Sequence, residues 1–400
     1  MSYQFSSDNM TLFLQRLLLY LVMAYTFASC ASGRLYLNSP VNPIQPETTG
    51  TPDYTIYALG DGGEVNAQSK AVMDFAAKVS LDDRHPGTII FLGDNVYPAG
   101  FPPLGDKAAI EHAQNILKSQ YEGLTGYNGQ IIFIPGNHDW NEFHPGGRIS
   151  IIRQGEYLNQ LEGDKIRMLP VNGCGGPVTL QLNEKLTMVI IDSQWWIQSW
   201  DNEPDMNAGC EIQSREDFIK AFHKTIDENN DKQIIVAMHH PMHTQGAHGG
   251  HFTLRDHLFP LSKKVKWLYL PLPVIGSIYP LYRNLFGHPQ DIQHAGYSKL
   301  KNDILKDLED NGSIIFIAGH DHNLQYIVKD DDHFILSGSI SKQNPIANSQ
   351  DLIYGHKAAG FAQLDYYKDQ GIRLTIYEVD PASGSSKQVF SRFIMEKAGS

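Results

Sequence analysis

Cysteine is scarce. Three thiols, at positions 30, 174 and 210, serve a chain of 400 residues. That leaves no thiolate quartet for a structural zinc ribbon. Charge is thin as well, at 19% of residues, and the balance is acidic, with a formal net charge of -12. A chain without a basic stripe has no electrostatic grip on nucleic acid, so no such partner is expected. Neither of the two most apolar stretches suits a membrane-spanning helix. Leu17 to Phe27 is too short, and Val265 to Tyr282 is broken by Pro271, Pro273, Gly276 and Pro280. No internal repeat or low-complexity tract is evident, and a chain of this length buries enough apolar surface to need no disulfide for stability.

Five short polar strings stand out against this background, each just after a run of apolar β-formers. They are Gly60-Asp61-Gly62-Gly63, Gly93-Asp94-Asn95-Val96-Tyr97, Gly136-Asn137-His138-Asp139, Met238-His239-His240-Pro241 and Gly319-His320-Asp321-His322. Short bounded apolar runs suit buried parallel strands, and ligands bind beyond the carboxyl ends of such strands. The tips would therefore deliver Asp61, Asp94, Asn137, His239 and His320 to one rim. His320 and His322 alternate, so in an extended segment they point the same way and share a site. Oxygen donors mixed with imidazoles suit Fe, Mn or Zn. Two cations ~4 Å apart could polarise a phosphoryl group and activate water, with Asp94 as the bridging carboxylate.

These residues make the chain resemble the calcineurin-like metallophosphoesterases, and within them the purple, tartrate-resistant acid phosphatases. The resemblance runs over about residues 54 to 330 and is specific at the five motifs. It implies an α/β (α+β) fold, a four-layer αββα sandwich of two mixed β-sheets flanked by helices. It also implies a metal pair at the strand C-terminal ends. Asp61, Asp94, Tyr97 and His322 would hold Fe(III), and Asp94, Asn137, His239 and His320 a divalent Fe, Zn or Mn. Tyr97 is the discriminating residue, because phenol ionises only near pH 10 unless a strongly acidic cation binds it. His138 and His248 would act on the substrate phosphate and the leaving group, with His251 or His243 as substitutes for His248. His240 departs from the pattern, standing where an aromatic residue often follows the metal-binding histidine. The implied activity is hydrolysis of phosphate monoesters by a metal-activated hydroxide. The alternatives are a phosphodiesterase or nucleotide pyrophosphatase on the same cradle, or a non-catalytic membrane-surface binding protein.

The ends and connections complete the reading. Residues 1–29 have the pattern of a lipoprotein-type signal peptide, with Arg16 ahead of the apolar run and Ala28-Ser29 ahead of Cys30. Cys30 would be lipidated, giving an exported, membrane-anchored protein of a bacterial cell envelope. Cys174 and Cys210 then form an even pair that could close a disulfide. Residues 30–52, rich in Pro, Asn and Thr, read as a flexible tether, and 53–400 as the catalytic domain. Helical patterns near 66–80, 106–120 and 148–161 would cross over between parallel strands. A hairpin is expected over 178–191, followed by Asp192 at the same rim and by Trp195, Trp196 and Trp200 in packing or pocket-lining roles. Hairpins over about 324–395 would complete a second sheet. The apolar insertion at about 259–297 would be a lid, a membrane-resting hairpin at 265–283, or a segment packed on its own domain.

Overall fold

The computed structural model describes residues 30–38, 42–46, 48, 50–161, 165–263, 267–272, 275–308 and 311–396. The expected signal segment, residues 1–29, lies outside the described residues. In chain order the strands are β1 (Tyr36–Leu37), β2 (Tyr54–Leu59), β3 (Gly87–Phe91), β4 (Gln130–Phe133), β5 (Ile166–Met168), β6 (Val178–Gln181), β7 (Leu186–Ile190), β8 (Gln233–Ala237), β9 (Ile315–Ala318), β10 (Leu324–Lys329), β11 (Asp332–Ser337), β12 (Leu352–His356), β13 (Ala359–Tyr367), β14 (Gly371–Val379) and β15 (Ser386–Glu396). Helices are α1 (Ala67–Asp82), α2 (Lys107–Tyr121), α3 (Gly147–Asn159), α4 (Ser193–Ile197), α5 (Arg215–Asp227), α6 (Leu254–Leu258), α7 (Ile275–Phe286) and α8 (Ala295–Leu305).

The strands form two mixed sheets. One has the order β15-β14-β13-β2-β3-β4-β5, the other β1-β12-β10-β11-β9-β8-β7-β6. Pairing is parallel from β2 to β5 and from β7 through β8 and β9 to β11.

The alternation of side chains explains why the motif-bearing strands read as unbroken apolar runs. Ile56, Ala58, Ile90 and Ile132 point inward and meet Met188, Ile235, Ile317 and Ile335 of the opposite sheet. Their neighbours Tyr57, Leu59, Ile89, Phe91 and Phe133 point outward to Val72, Ile116, Leu117 and Ile151 on α1, α2 and α3. The other sheet does the same through Val236 and Phe316, which share a cluster with Phe218 and Phe222 of α5 and Tyr297 and Leu300 of α8. A strand covered on both faces has no polar side to show. The result is the expected helix–sheet–sheet–helix stack.

The five motif strands divide between the sheets, β2, β3 and β4 in the first and β8 and β9 in the second. Two expectations change. The C-terminal hairpins are likewise divided, β10–β11 joining the second sheet and β13–β15 extending the first. The supposed tether is bound to the body over its described residues. β1 pairs with β12, Ile44 bridges to Ser391, and the Arg373 guanidinium donates to the carbonyls of Gln45 and Pro46. A polar, Pro-rich segment builds no core, but it can satisfy a sheet edge and a buried cation, and that requirement is invisible in composition.

Two smaller features bear on the site. Cys174 and Cys210 form a disulfide. In the insertion, α7 runs for twelve residues with Pro280 inside it. Among the described residues, no helix is long and apolar enough to cross a membrane.

Candidate metal centre

The two sheets approach closely at the carboxyl ends of β2 and β9. A Cβ on Gly60 would lie 2.8 Å from the Ser337 carbonyl and 3.2 Å from the Gly319 Cα, so only glycine lets the two backbones approach. Loops from both sheets empty side chains into this seam. Asp61, Asp94 and His320 hold positive φ angles of 61°, 54° and 70°. Left-handed backbone at a non-glycine residue persists only when surroundings enforce it, and it gathers at functional sites.

One group of side chains contains Asp61, Asp94 and His322, whose donor atoms lie within 4.8 Å of one another. The Tyr97 hydroxyl sits among them, 3.2 Å from Asp61 Oδ1, 3.1 Å from Asp94 Oδ2 and 3.1 Å from His322 Nε2. Burial and the two carboxylates push the Tyr97 hydroxyl well above its usual pKa. Burial likewise raises Asp61 to about 7. Asp94, equally buried, is held below the ordinary carboxylate range because His239, His138 and the His138 N–H outweigh its desolvation. Burial lowers His322 to about 4, with Lys342 adding to the effect.

The second group is His239, His320 and Asn137. His239 Nε2 lies 2.9 Å from Asn137 Oδ1 and 3.1 Å from His320 Nδ1, and the latter lies 3.1 Å from the same Asn137 oxygen. The opposite ring nitrogens fix the proton positions. His239 Nδ1 faces the Leu92 carbonyl at 2.8 Å and His320 Nε2 the Gln290 carbonyl at 3.0 Å. A carbonyl only accepts, so both of those nitrogens carry hydrogen, and the facing nitrogens are the ones left to take a cation. Burial lowers His320 well below the ordinary imidazole pKa, which keeps it neutral. Two imidazole nitrogens and an amide oxygen aimed at one point fit a cation. Asp94 Oδ1, 3.5 Å from His239 Nε2, links the two groups.

His320 and His322 do not point the same way. The left-handed turn at His320 breaks the extended alternation and sends one ring to each group. His240 also falls within donor range of His239 and His320, but both its nitrogens are engaged, Nδ1 with Ser193 Oγ at 2.8 Å and Nε2 with Gln290 Oε1 at 2.7 Å. It steadies the Gln290 that in turn orients His320.

Above the two groups opens a cavity of about 290 Å³, floored by Asp94, Asn137, His320 and His322. His138 and His248 stand on its walls. His138 Nδ1 donates to the Pro98 carbonyl, leaving Nε2 facing Glu142 at 3.3 Å. His248 Nδ1 is 3.0 Å from Asp291 Oδ1, and its ring centroid is 4.0 Å from that of His320. Burial would lower the His248 pKa, but Asp291 and Asp321 raise it. His248, and neither His243 nor His251, occupies this wall; His243 packs on Phe334 instead.

The remaining residues at the mouth carry no motif. Tyr279, Arg283, His288 and Gln290 come from the insertion. Arg283 pairs with Asp291 through both Nε and Nη2, and Lys342 Nζ lies 3.1 Å from the centroid of the Tyr97 ring. Runs of Lys, Arg and His in the insertion were the available signal, but nothing local fixed their direction. The rim aspartate Asp192 is structural: it caps α4 through the Trp195 N–H and accepts from Trp140 Nε1. Trp195 is a packing residue, set against Phe218 and Trp200.

Two mixed sheets, flanking helices and these buried His/Asp groups define a metal-dependent phosphoesterase fold. The chain belongs to the calcineurin-like phosphoesterases, whose family model matches residues 54–269, and that family uses a dimetal centre. Among solved structures, the fold is similar to that of GAP50, the anchor in the inner membrane complex of Plasmodium. The TM-score is 0.51 at 14% identity, over 87% of this chain and 90% of that one. Comparison with curated proteins gives no match.

Proposed function

We propose that this chain is a phosphomonoesterase of the purple acid phosphatase type. In this reading Asp61, Asp94, Tyr97 and His322 hold one cation, and Asp94, Asn137, His239 and His320 hold the other. One observation carries it: three potential ligand atoms, His239 Nε2, His320 Nδ1 and Asn137 Oδ1, converge beside a buried carboxylate pair. Bound cations would supply Lewis acidity toward a phosphoryl oxygen and an attacking water of lowered pKa.

The chain's own residues do the rest. His138, with Nδ1–H tied to Pro98, has only Nε2 to turn toward a leaving alkoxide, and as imidazolium it hands over that proton. His248, oriented by Asp291, presents its other nitrogen to a phosphoryl oxygen. Asp291 is itself held at about 2 by His248 and Arg283 despite its burial. Four basic side chains, His138, His248, Arg283 and His288, border one small cavity. With cations bound at its floor, this cavity, with Arg283 and a His248 whose pKa is raised, would suit a doubly charged terminal phosphate better than a diester carrying a single charge.

Tyr97 supports ferric iron at the first position. Its hydroxyl lies among two carboxylates that oppose ionisation, so a phenolate there needs a strongly acidic cation. Export is part of the same reading, with residues 1–29 as signal and Cys30 acylated; the Cys174–Cys210 disulfide supports an oxidising compartment.

The test is hydrolysis of an aryl monophosphate against an aryl diester by metal-replete protein, with Asp94→Ala as control. A monoester preference abolished by the substitution is expected. A diester preference would move the substrate class, and turnover that survives Asp94→Ala would defeat the dimetal reading. A tyrosinate band in the visible spectrum, lost in Tyr97→Phe, checks the iron assignment.

A further inference from the structure

Helix α7 presents an apolar stripe to solvent. Ile275, Ile278, Tyr282, Leu285 and Phe286 are all exposed, between 56% and 71%. Their spacing places them on one side of the helix. The opposite side, Gly276, Ser277 and Pro280, is buried, Gly276 lying against the carbonyl of His257, on α6. Trp267, 79% exposed, Tyr269 and Leu270, a few residues ahead of the helix in the chain, are exposed as well. Apolar surface of this extent on a folded body marks an interaction site.

The path of the chain identifies the occupant. The Ala31 N–H donates to the Phe252 carbonyl at 2.9 Å, and the Phe252 ring lies under the Arg283 guanidinium of α7, 5.3 Å from its centroid. The chain therefore enters the body at the corner that carries the stripe. Cys30 stands three positions after Phe27, the end of the apolar run that begins at Leu17. Three steps along the chain reach at most ~11 Å, so a bilayer that receives residues 17–27, or the acyl group of Cys30 once residues 1–29 are removed, must pass close to α7. Aliphatic side chains with Trp and Tyr beside them suit the boundary between headgroups and acyl chains. Lys263, Lys264 and Lys266, next to Trp267 in sequence, suit anionic headgroups.

We propose that the exposed face of α7, with Trp267, Tyr269 and Leu270, seats on the surface of a lipid bilayer. Tyr279 and Arg283 of the same helix line the cavity, so this seating turns the mouth of the site toward the headgroup layer. The inference does not depend on the metals.

Trp267 provides the probe, because Trp140, Trp195 and Trp196 are buried and Trp200 is half-buried. The full chain is bound to vesicles of phosphatidylcholine and phosphatidylglycerol with brominated acyl chains, and tryptophan emission is recorded. Quenching that disappears in Trp267→Phe is expected. A triple variant, Ile278→Ser, Leu285→Ser and Phe286→Ser, should reduce that quenching about twofold or more with unchanged far-ultraviolet dichroism. Vesicle-bound protein whose Trp267 is not quenched would overturn the proposal, since residues 17–27 would then hold the chain alone or cover the stripe themselves. Concentration-dependent dimers that dissolve in the triple variant, with no quenching, would assign the face to a second copy and overturn it equally. Should the triple variant unfold, the wild type against Trp267→Phe still decides.

Discussion

Gly136 follows β4 in the seam, and its backbone lies against the carboxylate that links the two donor groups. A Cβ built there would stand 2.2 Å from the Asp94 nitrogen and 2.4 Å from Asp94 Oδ1, where ordinary contact begins at 3.4 Å. In Gly136→Ala, Asp94 must retreat by about 1 Å, a misplacement that can cost ~100-fold in rate. The carboxylate has no free direction to take. Oδ1 accepts the His138 N–H at 2.9 Å, and Oδ2 faces the Tyr97 hydroxyl. The variant should therefore lose ~100-fold in kcat/KM on an aryl phosphate, equivalent to ~2.7 kcal/mol of transition-state stabilisation. Overpacking should also lower stability by ~1–3 kcal/mol. Gly123→Ala is the control, because its Cβ would meet only the Ala77 Cβ at 3.7 Å. Steady-state kinetics, metal content per chain and a denaturant titration on both variants make the comparison. Gly136→Ala with full metal content and activity within about threefold of wild type would refute the reasoning, because a 1 Å shift would then carry no catalytic cost.

Two further outcomes are expected. Reduction of Cys174–Cys210, which are separated by 36 positions, should lower stability by ~4 kcal/mol on the loop-entropy relation; an unchanged urea midpoint in reductant would contradict this. Burial lowers His243 to about 3, with Lys301 and Lys329 adding to the effect. The unfolded chain therefore binds a proton below pH ~6.5 that the folded chain refuses down to about 3, and stability falls as the pH drops through that window. His243→Gln should flatten the slope of stability against pH between ~4 and ~6 by ~1.4 kcal/mol per unit, read from urea titrations at several pH values.

The part of the site that follows from sequence is the part written in short strings at strand tips. Asp61, Asp94, Asn137, His239, His320 and His322 each sit within a few residues of an apolar run, so local pattern alone places them at the rim. Which sheet each strand joins is set by long-range pairing: β8 and β9 carry the same kind of run as β2 and β3 but lie in the other layer. The direction of a side chain depends on backbone as well as spacing. His320 turned away from His322 because of one left-handed φ, which no two-residue alternation reveals. Gln290 was invisible for a different reason: it acts through its main-chain carbonyl on His320 and its side chain on His240, and a carbonyl has no sequence signature. Arg283 and His288 reach the cavity only because the insertion folds back over it.

The division of donors between layers has a consequence for assembly. Asp61, Asp94 and Asn137 follow strands of one sheet; His239, His320 and His322 follow strands of the other. A half-built chain that has formed only its first sheet owns the oxygens without the imidazoles, and it cannot grip a cation tightly. Ions captured here would act as rivets fastened after the two halves have met, so their uptake would report completed assembly as much as readiness for chemistry.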